Sequence, residues 1–146
     1  MRRFLTAVAP AVALIPAAAL AVALIPSAAG LASANPIPGP PFVERVEWAK
    51  WGDLSSLRVY PTPSGRNVSV QVGTAADADE AWAEVLALAP DAAIPGMREQ
   101  FLCHWSFAEL AEPGKTSWNL EPWRPEVDET QMVAAGCNPG GTEEPF

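Results

Sequence analysis

His104 is the only histidine of this 146-residue chain and its one side chain that ordinarily titrates near neutral pH, so it is the default acid, base or ligand. Catalytic use would need a carboxylate to orient the imidazole and a hydroxyl for it to activate. Glu121 is the candidate carboxylate and Ser106 and Ser117 are the hydroxyls available, a set that would make a small hydrolase. Neither serine lies in a nucleophile elbow. A single histidine beside an apolar helical stripe is more often a packed residue that donates one hydrogen bond.

The segment WNLEPWRP, Trp118 to Pro125, is the second chemical candidate. Asn119, Glu121 and Arg124 place donors and acceptors between the indoles of Trp118 and Trp123. Apolar faces that stack and polar groups that orient are the ingredients of a sugar or peptide cradle. They are equally the ingredients of an irregular strap over a core, with Trp118 and Leu120 buried, Arg124 paired with Glu121 and Asn119 satisfying backbone groups. Under the strap reading, Trp123 is the more exposed of the two indoles, because prolines on either side hold it in a projecting segment.

Cys103 and Cys137 are the only cysteines, and in an exported chain they most simply form one disulfide. That bond would close a loop of about 35 residues and contribute roughly 4 kcal/mol at most in the chain-entropy model. A tetrahedral zinc site would need two ligands beyond the cysteines, and with one histidine in the chain at least one of them would be a carboxylate, while the acidic run Asp77–Glu84 lacks the D-x-D-x-D-G order of a calcium loop. No metal or other cofactor is expected.

Export itself is read from residues 1–34. Arg2 and Arg3 precede an apolar run from Phe4 to Pro26, and Ala32-Ser33-Ala34 gives an A-x-A cleavage pattern, with cleavage after Ala29 as a second option. An uncleaved anchor is the rival, since about 20 apolar residues span a bilayer. Pro10, Pro16 and Pro26 interrupt the run and favour removal, leaving a chain that begins at Asn35 and keeps no membrane span. Four prolines between Asn35 and Pro41 then describe an extended leader.

The elements that must position the candidate residues follow. Val43 to Trp51 alternates in part and reads as a strand, as do the stretches around Leu57–Pro61 and Val68–Val72, joined through Pro61–Gly65 as a hairpin. Ala78, Ala81, Trp82, Val85, Leu86 and Ala89 then recur at helical spacing, with Thr74 or Asp77 as cap and Pro90 beyond the end. A second helix spans about 96–110, with Met97, Phe101, Trp105 and Ala108 in its stripe and Cys103 and His104 riding on it. Glu112-Pro113-Gly114 ends it, and a last short strand is expected over 131–135, before Cys137 and a frayed tail at 140–146. Strands first and helices after argue for one α+β domain over 42–139, a small antiparallel sheet with two helices on one face.

Composition narrows the partners. Without Arg2 and Arg3, seven scattered cations stand against 17 acids, a formal charge of about −10, which disfavours nucleic acid and anionic lipid. All six tryptophans lie beyond residue 34, and a domain this small needs such bulk for its core before it can spare it for a binding face.

The stretch from about Trp48 to Pro139 resembles an actinobacterial secreted family catalogued as domain of unknown function 2599. Four segments carry the resemblance: PTPSGR ending at Arg66, FLCHW from Phe101 to Trp105, SWNLEPWRP from Ser117, and CNP at Cys137. It implies an exported small domain and supplies no activity. The reading from sequence is therefore a secreted, non-catalytic module that binds a cell-wall glycan or another envelope component, or an extracellular protein, through Trp118, Asn119, Glu121, Trp123 and Arg124. The alternative is a hydrolase built on His104 and Glu121.

Overall fold

The computed structural model describes residues 38–141. Residues 1–37, which include the expected signal segment, and the last five residues lie outside that range. Strand β1, Val43–Trp51, turns at Gly52-Asp53 into β2, Leu54–Pro61, and a short third strand, β3, Trp118–Leu120, pairs antiparallel with the far side of β2. The register sets Leu57 opposite Leu120 and Val59 opposite Trp118, and all four side chains are fully buried. Against the sheet and one another pack α1, Pro63–Ser69, α2, Ala75–Leu88, and α3, Met97–Ala111, with a 3-10 turn at Pro90–Ala92 after α2, while α4, Glu129–Ala134, packs on α3. The fold is α+β.

The two long helices follow their sequence periods. Helix α2 buries Ala78, Ala81, Trp82 and Val85, and α3 buries Met97, Phe101, Trp105 and Ala108. Their aromatic residues meet Phe42 and Trp118 in one cluster, with Phe42 to Trp105 at 5.6 Å and Trp105 to Trp118 at 6.1 Å, both edge to face. A carboxylate of α2 also holds the backbone at Phe42. Glu84 Oε2 accepts from the backbone N–H groups of Phe42 and Val43 at 2.8 and 2.7 Å, fixing where the chain enters β1.

Neither of two strands expected from sequence forms: 68–72 is the end of α1 and the turn after it, and 131–135 falls on a helix. Val68, Val70 and Val72 alternate, yet Thr62 caps α1 by accepting from Gly65 N at 2.9 Å, and Pro63 supplies the helical φ of the first position. Only Val68 of the three is buried; Val72 is 99% exposed. Gly65 also permits the contact that seats this helix, since a Cβ there would stand 2.3 Å from the Phe42 carbonyl oxygen. Likewise, 131–134 lies in α4, with Ala135 as its C-cap, and the helix is opened by Asp128, whose carboxylate accepts from Gln131 N at 2.8 Å. The PTPSGR stretch therefore begins a helix rather than forming a hairpin. The remaining surprise is β3, a strand inside a segment expected to be irregular.

Candidate functional site

β3 is an edge strand, and α3 supplies what a fourth strand would. Gln100 Nε2 donates to the Glu121 carbonyl at 3.0 Å, while Gln100 Oε1 accepts from Glu121 N at 2.9 Å. One helical turn later, His104 Nε2 lies 3.0 Å from the Asn119 carbonyl. A carbonyl only accepts, so the ring carries its proton on Nε2 and donates it. The spacing of 100 and 104 on a helix matches that of 119 and 121 on a strand closely enough to close the edge.

His104 is thereby a buried, neutral edge cap. Burial pushes its imidazole down from the ordinary 6.5 to about 4; the bond to Asn119 opposes this, and the charges of Lys115 and Arg124 add to it. Its flank of α3 is covered by β3, while Cys103 faces α4. That is how two consecutive residues of one helix are both buried: α3 is packed on more than one side.

Glu121 is fully buried with its carboxylate occupied. Oε1 accepts from Ser56 Oγ at 3.0 Å and Oε2 from Arg124 Nε at 2.6 Å, an ion pair in which neither side chain is exposed. Arg124 Nη1 reaches on to the carbonyls of Pro139 and Gly141 at 3.2 and 3.1 Å, so the first residues of the expected frayed tail are held. Its guanidinium also lies over the Trp123 ring, 4.6 Å from the centroid. Trp123 is half-buried, with its indole N–H donated to the Ser55 carbonyl at 3.1 Å. Trp118 is fully buried and Asn119 is 8% exposed, its Oδ1 accepting from Ser117 Oγ at 2.7 Å. The residues expected to cradle a ligand are thus brought together, but as a strap that ties β2, α3 and the C-terminal turn.

The disulfide Cys103–Cys137 joins α3 to the residues just after α4, with Cα atoms 5.5 Å apart. Met132 and Val127 pack around it as a satellite core separate from the main one. Helix α4 is therefore held by one small cluster and one covalent bond. Among the described residues, no group of three or more His, Cys, Asp or Glu is placed to hold a metal ion.

An open groove of about 720 Å3 lies where α4, the exposed flank of α3 and the loop Val70–Thr74 converge. Val70, Val72, Phe107, Leu110 and Val133 line it and are all exposed large apolar side chains, Leu110 at 65%. Its floor includes Trp105, whose indole N–H donates to Thr74 Oγ1 at 3.1 Å and so pins the loop to α3. Carboxylates of Asp79, Glu99 and Glu129 stand along the lining; Asp79 is paired with Arg98 at 2.5 Å. Sequence reasoning missed this site, because Val70 and Val72 read as a strand and the groove is assembled from three distant segments. The one local signal was an apolar Val70 and Val72 flanking Gln71 beside the Gly73 turn.

The family described as "Protein of unknown function (DUF2599)" matches residues 43–140. The chain belongs to that family. An uncharacterized protein of Mycobacterium tuberculosis is 58% identical over 120 residues, covering 80% of both chains, and one of Mycobacterium bovis matches to the same extent. An uncharacterized protein of Mycobacterium leprae is 50% identical over 103 residues, 70% of this chain and 83% of its own. No solved structure matches. The DUF2599 match spans the three strands and four helices of the described residues and both cysteines.

Proposed function

We propose that this DUF2599 chain is exported and acts as a non-catalytic module that binds a component of the cell envelope or an extracellular protein, with the groove beside α4 as its contact surface. The observation that carries this is the groove itself: about 720 Å3, open to solvent, with five large apolar side chains left exposed around it. Folding leaves apolar surface clustered in this way chiefly where a partner covers it. Export is supported by the residues of segment 1–34 and by a disulfide, which persists in oxidising compartments. None of the helices among the described residues is long and apolar enough to cross a membrane. Non-catalytic action is supported by the occupied state of the candidate groups, since the imidazole of His104 and the carboxylate of Glu121 are each spent on buried structural bonds.

The test is a binding screen of the purified chain against cell-wall fractions, wall glycans and secreted proteins, run beside Leu110→Asp. Binding by the wild type that the variant loses, at unchanged thermal stability, is the expected result. Hydrolytic turnover of any wall component, abolished by His104→Gln, would replace this reading with an enzyme.

A further inference from the structure

The groove's occupant can be narrowed by chemistry. This rests on the reading of the groove as a contact surface. A glycan would be met by exposed indoles and converging polar groups. None of the exposed apolar side chains around the groove is a tryptophan, and Trp105 on its floor is 3% exposed with its N–H already donated to Thr74. A free acyl chain is held best when enclosed on most sides. Here the walls stand open, and Val72 at the loop tip is 99% exposed. What an open apolar trough does suit is the apolar face of an amphipathic segment whose other face stays in water.

The charges set the sign of that segment. Of the lining residues, Asp79, Glu99 and Glu129 are acidic and exposed, and the cation Arg98 is engaged by Asp79. The surrounding chain adds to the field, with 17 acids against seven cations beyond residue 34. Carboxylates beside an apolar trough attract Lys or Arg flanking an apolar stripe and repel an acidic segment or an anionic headgroup. The same repulsion works against a second copy of this acidic chain.

We infer that the groove formed by Val70–Thr74, the Phe107 and Leu110 flank of α3, and α4 docks a cationic amphipathic segment of an extracellular polypeptide, the apolar stripe in the trough and basic residues against Glu99 and Glu129.

The probe is a synthetic amphipathic helical peptide of Leu and Lys, with a Leu and Glu analogue of the same pattern, each titrated into the full chain at physiological salt and followed by amide NMR shifts. The Lys peptide should bind with shifts confined to the groove residues. Leu110→Asp should weaken it by about tenfold or more, and so should Glu99→Lys with Glu129→Lys, while the Glu analogue should show no groove binding. These three positions are exposed, and an unchanged urea midpoint establishes that each variant folds. Lys-peptide binding that is insensitive to both variants, or that maps to other acidic faces, overturns the inference. Palmitate or a wall glycan occupying the groove in place of the peptide also overturns it, yet leaves the contact-surface reading standing. Concentration-dependent dimerisation through the groove, seen by sedimentation and lost in Leu110→Asp, overturns the inference in favour of a second copy. If no probe, envelope fraction or second copy engages the groove, both fall together.

Discussion

Gln100 and Glu121 exchange two hydrogen bonds, at 3.0 and 2.9 Å, in the way two residues of adjacent strands do, although one of them is on a helix. The primary amide of Gln100 imitates a peptide group, with its N–H and its oxygen in the relative places a strand would put them. This explains why a polar side chain can be 1% exposed in the core without leaving a donor or acceptor unpaired at the edge of β3. It also explains why the histidine one turn away is structural.

Removing the surrogate strand should be costly. Gln100→Leu keeps the volume and strands the backbone N–H and C=O of Glu121, each costing about 1 to 3 kcal/mol when buried and unpaired. A loss of about 3 kcal/mol in a urea melt is the expected outcome, with faster amide exchange at Glu121. A loss below about 0.5 kcal/mol would mean that the exchanged pair contributes little.

Acid should weaken the fold through His104. Its folded value, about 4, lies below the ordinary 6.5, so the unfolded chain binds the proton more readily. Stability from this group is complete above pH 6.5 and declines as pH falls toward 4, where the loss approaches about 3 kcal/mol. His104→Gln lacks this titration, so the stability gap between wild type and variant should narrow from pH 7 to pH 4. A gap that stays constant would show that His104 does not titrate differently in the two states.

The Glu121 and Arg124 pair gives a third expectation. Removing one member leaves the other charged and buried, so Arg124→Met should cost about 3 to 5 kcal/mol. Glu121→Gln with Arg124→Met removes both charges and should cost less than the two single losses combined. Additive losses in denaturant melts would indicate that the two groups act independently.

How far these sites were legible depends on how local each cause is. The periods of Ala78–Ala89 and Met97–Ala108 come from burial of one helical face, and both helices formed as read. The Cys103–Cys137 bond followed from having two cysteines in a chain expected to be exported. Val68–Val72 misled because alternation over five residues competes with a cap, and Thr62 followed by Pro63 was the stronger instruction. Asp128 three residues before Gln131 was the same kind of overlooked cap. β3 was beyond local reading: its three residues are a strand only because β2 pairs one edge and α3 closes the other. Trp118 and the Glu121–Arg124 pair matched the strap alternative, whereas the groove, drawn from three distant segments, had no contiguous signature beyond Val70 and Val72 beside Gly73.

Reduction of the disulfide should act regionally. Helix α4 rests on the satellite core of Met132 and Val127 beside the bond, apart from the main cluster. Hydrogen exchange after reduction should therefore rise first in α4 and the C-terminal turn, with β2 and α3 still protected. Uniform loss of protection would mean that α4 and the main core unfold as one unit.

The central claim is that contact is made at the groove while the strap is structural. Amide NMR of the isotopically labelled chain, titrated with solubilised cell-envelope extract and secreted protein fractions, tests it most directly. The account predicts shifts gathered at Val70–Thr74, Phe107, Leu110 and Val133, with the strap residues Asn119 to Arg124 unmoved. Shifts centred on Trp123 and Arg124, with the groove silent, would contradict it.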